Sequence, residues 1–307
     1  MKRQFYMMGL VTIALLICAL FLSPGLLAPK HLLEIVRQAT PLAIATLGQS
    51  VVMLTGGADL SIGSVITFTN IFAADLMARS NSPVVEAGVI VLLLCAGFAI
   101  GSVNGSLIHF TKMPPFVMTL GMSSIVTGAY LIYSKGAPKG RVSEFLRFVG
   151  SGRLGILPAS VIVLVLVNIM MYFLIHKSTF GYKVYYVGSN PTASIFSGVK
   201  TSRIIIQSYG LSSMLAVVSG LILSGYIGIG SFKVGGDPYV LNTMAAAVIG
   251  GTTFDGGTGN MVGPVFGAVI FTFLSALLVT LGLGEPFKYI VKGLIIIAMV
   301  LSYSKRS

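Results

Sequence analysis

Ten apolar runs, at about 5–27, 33–55, 60–79, 84–109, 115–134, 155–175, 204–228, 240–255, 260–282 and 286–303, follow one another along the chain. A membrane span needs roughly 20 apolar residues to cross about 30 Å of hydrocarbon. Most of these runs meet that length, and a soluble core could not hide them all. With a mean hydropathy of +0.95 and only 9% charged residues, little remains for a soluble unit. The expectation is an all-α polytopic membrane protein of about ten spans, with residues 1–307 forming one transmembrane domain. The first run follows Met1-Lys2-Arg3 but exceeds a signal core in length, so it reads as a retained helix.

The formal charge of +12 comes without a basic helix or a basic patch interleaved with aromatics, which argues against nucleic acid. In a membrane protein Lys and Arg gather at span ends and bias orientation. Lys2, Arg3, Lys305 and Arg306 place both termini in the cytoplasm, and an even span count agrees. The basic stretch Lys135–Leu154 then falls outside, against that rule, and the polar stretch 176–203 falls inside. Cys18 and Cys95 read as two buried small hydrophobes. His31, His109 and His176 have no metal-ligand spacing, so no metal site is expected.

Two glycine-rich stretches interrupt the apolar pattern. Gly56, Gly57, Asp59, Ser61 and Gly63 separate the second run from the third. Gly250, Gly251, Gly256 and Gly257 lie in a late break that ends near Asn260. Both predict broken helices: glycine admits turns that other residues resist, and Asp59 or Ser61 can cap the helix that follows. The pair Gly263 and Gly267, and likewise Gly101, Gly105 and Gly121, predict close helix packing. Within 176–203, Asn190 followed by Pro191 predicts a capped short helix over 191–197, stopped by Gly198. It reads equally as a helix lying in the interface and as a docking element for a cytoplasmic partner.

All eight acids fall in loops or near span ends, so no deep ionisable group marks proton or sodium coupling. The mid-span amides Gln49, Asn70, Asn104 and Gln207 are expensive to bury unpaired. They either bridge helices or line a water-filled path for a polar uncharged solute such as a sugar. The sequence holds no nucleophile elbow, no zinc-protease motif and no paired carboxylates on one helix face, so no enzyme is expected.

Residues 56–64, Gly-Gly-Ala-Asp-Leu-Ser-Ile-Gly-Ser, resemble the Gly-Gly-Ile-Asp-Leu-Ser-Val-Gly-Ser signature of the ribose and simple-sugar ABC importer permeases. Three further segments resemble that family in order: Pro114-Pro115-Phe116 with Thr119-Leu120-Gly121; Thr179-Phe180-Gly181 with Gly188-x-Asn190-x-x-Ala193 and Ser197-Gly198; and Ala245-Ala246-x-Val248-Ile249-Gly250-Gly251-Thr252 with Gly256-Gly257-x-Gly259. Departures are Ala58 for a larger aliphatic, Val240 and Asn242 for two acids, and Thr258 for an Arg. The resemblance implies a multi-pass permease of the bacterial cytoplasmic membrane, embedded in lipid and paired with a second permease chain. It implies ABC ATP-binding subunits that hold the ATP and magnesium, so that this chain binds no cofactor, and an external solute-binding protein. It makes Gly188, Asn190, Ala193, Ser197 and Gly198 the ATPase-coupling segment. A passive channel or facilitator for small neutral solutes is the alternative.

Overall fold

The computed structural model describes residues 2–80, 82–284, 286–287, 289–291 and 293–294, with side chains described from Gly9 onward and not at Asp237. Helix α1 (Lys2–Leu22) is followed by a 3-10 turn (Pro24–Leu27), α2 (Pro29–Leu54), α3 (Ile62–Met77), α4 (Pro83–Thr111) and α5 (Pro115–Ser134). Then come α6 (Glu144–Ser151), a hairpin pairing Arg153–Leu154 antiparallel with Leu157–Pro158, α7 (Ala159–His176), α8 (Thr179–Ser189) and α9 (Pro191–Phe196). The last are α10 (Thr201–Ile227), α11 (Asp237–Ile249) and α12 (Gly263–Thr280).

The first nine apolar runs hold α1 to α5, α7, α10, α11 and α12. The tenth run, with Lys305 and Arg306, falls largely outside the described residues, as do the side chains of Lys2 and Arg3. Among the described residues five helices, α4, α5, α7, α10 and α12, are long and apolar enough to cross a membrane. The eighth run ends as helix at Ile249 rather than 255, because Gly250 and Gly251 begin the late break there.

Helix α10 is the axis of the bundle. Of its most apolar stretch 72% is buried, against 17% for α5. Helices α2 and α4 run antiparallel to it and α3 runs parallel. Gly48 of α2 lies against Ser212, Gly97 of α4 against Ser213 and Val217, and Gly101 and Gly105 of α4 against Tyr209 and Ile206. On α10, Gly220 meets Ile66 and Thr69 of α3. Small residues let backbones approach where side chains would hold them apart. Ser219 adds a hydroxyl that donates to the Pro41 carbonyl, 2.7 Å away, in the turn where Pro41 interrupts the α2 ladder. The outward faces of α4, α5 and α7 are apolar, with Leu92, Ile125, Ile132, Leu166 and Phe173 exposed, a surface suited to lipid.

Several expectations need correction. The stretch 135–154 is not simply a loop: Phe145, Leu146, Phe148 and Val149 give α6 an apolar stripe, and Ser143 caps it by accepting from the Leu146 N–H at 3.2 Å. The stretch 176–203 is mostly helical, with α8 capped by Ser178, which accepts from the Gly181 N–H. Cys18 and Cys95 are exposed rather than buried, since hydropathy does not separate a core face from an outer one. Gly263 and Gly267 pack against Gly250 and Ala246 as expected of a close pair, whereas Gly121 has open space beside it.

Candidate functional site

The first break, between α2 and α3, is buried polar structure. Asp59 and Ser61 are fully buried. Asp59 does not cap α3. Its Oδ1 accepts from the Ser61 N–H at 2.9 Å and the Ser61 hydroxyl at 2.5 Å. Its Oδ2 accepts from the Ser212 hydroxyl of α10 at 3.0 Å. Asn104 of α4 donates through Nδ2 to Ser61 Oγ at 3.0 Å. The Leu60 N–H donates to Thr119 Oγ1 at 3.0 Å, which ties in α5. The carboxyl group therefore joins the break to α10 and, through Ser61, to α4. Its proximity to a run end gave no sign of this depth; Thr119 stands in one of the family-like segments, but neither it nor Ser212 carries a sequence signal that pairs it with the first break.

The four amides separate. Asn70 is buried and saturated: Nδ2 donates to Ser224 Oγ at 3.0 Å and the Ile229 carbonyl at 3.1 Å, and Oδ1 accepts from the Ser231 N–H at 2.7 Å. It pins the segment after α10 to α3. Asn104 bridges α4 to the break, with its Oδ1 unpartnered among the described residues. Gln49 is fully buried in α2, and neither amide atom has a partner among the described residues. The neighbouring Ser50 hydroxyl and the Ser208 hydroxyl of α10 are unpartnered as well. Gln207 is exposed on α10.

The two breaks and the 176–203 segment meet at one point. The Gly257 N–H donates to the Leu54 carbonyl at 2.9 Å, closing the late break onto the end of α2. Gly188, the penultimate residue of α8, sits in the same place: a Cβ on it would lie 1.8 Å from the Leu54 oxygen and 2.6 Å from the Gly257 nitrogen. A Cβ on Gly256 would meet the Gly188 oxygen at 2.8 Å and the Gly56 nitrogen at 2.9 Å. Three backbones thus touch with no room for side chains. Gly257 needs glycine doubly, since its φ is +64°. Two side chains reinforce the contact. The Tyr185 hydroxyl of α8 donates to the Gly259 carbonyl at 2.9 Å, and His176 Nε2 at the end of α7 accepts from the Met261 N–H at 3.2 Å. Burial pushes the Tyr185 hydroxyl up to about 12, so it remains a donor at neutral pH. Asn260 Oδ1 accepts from the Val262 and Gly263 N–H groups at 2.9 and 2.6 Å, starting α12.

Beyond the junction, α9 stands clear. Asn190 caps it, its Oδ1 accepting from the Ala193 N–H at 2.9 Å, and Pro191 takes the first position. Helix ends at Phe196, and Gly198 turns the chain with φ +77°. Asn190, Ala193, Ser197 and Gly198 are exposed, whereas Ser194 is buried. Ile195 is 59% and Phe196 87% exposed, an apolar tip on a polar segment. The five residues grouped from sequence therefore divide: Gly188 anchors, and the other four lie on the projecting element. No group of three or more metal-ligating side chains exists among the described residues.

Residues 31–300 match the family described as branched-chain amino acid transport system, permease component. The chain is 33% identical to the ribose import permease protein of Bacillus subtilis, over 95% of this chain and 90% of that protein. It is 31% identical to the galactose/methyl galactoside import permease protein of Escherichia coli K12, over 94% and 91% of the two. It is also 31% identical to the fructose import permease protein of Rhizobium meliloti, over 87% and 75%. No solved structure matches.

Proposed function

Because the chain belongs to the family of branched-chain amino acid transport system permease components, alongside sugar import permeases, we propose that it is the membrane subunit of an ATP-driven importer of a monosaccharide. It crosses the bacterial inner membrane ten times with both termini in the cytoplasm. A second permease chain completes the path, ABC ATP-binding subunits supply ATP hydrolysis from the cytoplasm, and an external solute-binding protein delivers the sugar. The relatives named for ribose, galactose and fructose support a monosaccharide over an amino acid.

The observation that carries this reading is the pairing of a projecting apolar tip with a rigid root. Helix α9 exposes Ile195 and Phe196 to a partner, while two residues before its Asn190 cap Gly188 is wedged against the end of α2 and the late break. Motion imposed on α9 has a short, stiff route to both helix breaks. The unpartnered Gln49 amide and the Ser50 and Ser208 hydroxyls support a path that presents neutral hydrogen-bonding groups to a polyol. Asn70, saturated within the fold, serves as a brace. A channel working alone would have no use for α9.

The test is a mild-detergent purification of the tagged chain from native membranes, with and without Asn190→Ala and Gly198→Ala. Wild type brings down an ATP-binding subunit. The double variant inserts normally but loses coupled uptake. A chain that purifies alone and conducts solute without ATP overturns the proposal in favour of a facilitator.

A further inference from the structure

The late break is held at the end of α7 by a bond whose direction matters. His176 Nε2 accepts the Met261 N–H at 3.2 Å, so this ring nitrogen carries no proton. Met261 is fully buried, so its N–H has no water to turn to. Protonation converts the acceptor into a second donor and sets N–H against N–H. We propose that His176 is a positioning residue of the coupling segment, fastening the glycine-rich break 250–262 to α7 only while its imidazole is neutral. Acidification on the α9 side then releases the break.

Burial, and then the charge of Lys177, disfavour the protonated imidazole while the bond is made. Lys177 follows it in the chain. Tyr172 of its own helix has its ring centroid 5.0 Å away, and Tyr185 of α8 6.2 Å away. Asp255, the acid of the late break, makes no ion pair with it among the described residues. On α2, which also packs against α7, the ionisable groups Lys30, His31, Glu34 and Arg37 lie in the first nine residues, at the end away from Leu54. Neighbouring Tyr185 grips the same loop through Gly259 but titrates far above neutrality, so the two fastenings respond differently to pH. The consequence for transport rests on reading 176–203 as the coupling segment.

Hydrogen exchange of the 255–265 region in the purified full-length chain tests the inference without any partner. Burial and then Lys177 hold the fastened imidazole below the ordinary value, whereas a released ring titrates near about 6.5, so by linkage acid favours release by about tenfold at about pH 5.5. Protection, corrected for intrinsic exchange, should fall about tenfold between pH 7.5 and 5.5 in wild type. His176→Gln keeps an acceptor that does not titrate, so its protection should hold within about twofold, while His176→Ala should be unprotected at both pH values. A flat wild-type profile overturns the inference even if a variant fails to fold, as does an alanine variant that stays protected. In the intact complex, ATP-driven uptake should fall with acid in wild type more steeply than in His176→Gln. Superimposed uptake profiles overturn the link to coupling. Absence of an ATP-binding subunit from the wild-type preparation would instead defeat the importer reading, leaving the exchange result to decide the role of His176.

Discussion

Replacing Gly188 with alanine would place a methyl carbon 1.8 Å from the Leu54 oxygen and 2.6 Å from the Gly257 nitrogen. Both are backbone atoms, so no rotamer change relieves the overlap. Carbon and oxygen need roughly 3.3 Å, which demands a displacement of about 1.5 Å at a point where three chain segments touch. Overpacking of this kind costs about 1–3 kcal/mol. Moving the Leu54 carbonyl also breaks its bond from the Gly257 N–H, and a stranded buried group costs about 1–3 kcal/mol more. The sum, about 2–6 kcal/mol, corresponds to a fall in melting temperature on the order of 10 °C at about 2–4 °C per kcal/mol. Two controls bracket the effect. Gly198→Ala meets nothing within 4 Å but must adopt φ +77°, at about 1 kcal/mol. Gly121→Ala meets nothing and has ordinary helical angles, so it should melt like wild type or slightly higher. The assay is a thermal melt of the purified proteins in detergent, followed by coupled uptake. A Gly188→Ala protein that melts with Gly121→Ala and transports normally would refute the idea that the junction is a stiff three-way contact.

Gln49→Met removes an amide whose two polar atoms have no partner, so thermal stability should hold or rise by about 1 kcal/mol. Uptake by the same variant should drop if the amide serves solute; unchanged uptake would remove Gln49 from the path. Asp59→Ala strands the Ser61 and Ser212 hydroxyls in a buried setting and should destabilise by about 2–5 kcal/mol, while Asp59→Asn keeps an acceptor for Ser61 and should lose clearly less. Equal melting of the two variants would show that these bonds do not set stability.

Local signals were the readable ones. Apolar runs foretold the long helices, and the caps at Asn190 and Asn260 formed as their neighbours dictate, since a cap involves residues two or three apart. Helices α6 and α8 were missed because eight to eleven residues of amphipathic character raise no hydropathy peak. The burial of Asp59 was illegible because position within a run says nothing of which helices surround its end. Gln49 and Gln207 look alike in sequence yet lie buried and exposed, because their neighbours decide which face turns inward. The junction of Leu54, Gly188 and Gly257 joins residues far apart in the chain, and three glycine-bearing segments carry no mark of their mutual contact.

That junction also sets a timetable for biosynthesis. Gly257 follows Leu54 by 257 − 54 = 203 residues, and Gly188 by 69. At about 5–20 residues per second, the Leu54 carbonyl waits roughly 10–40 s on the ribosome for its donor. For the last 30 residues of that interval α2, α3, α4 and the central α10 are all made, and the assembling bundle has an open seam at its first break. The seam shuts only when the late loop emerges, so chains truncated before Gly257 should keep an exposed polar gap there and also lack α12, which packs on α11. Such a gap is what membrane quality-control proteases can recognise, which makes the last third of the chain a checkpoint for the first two.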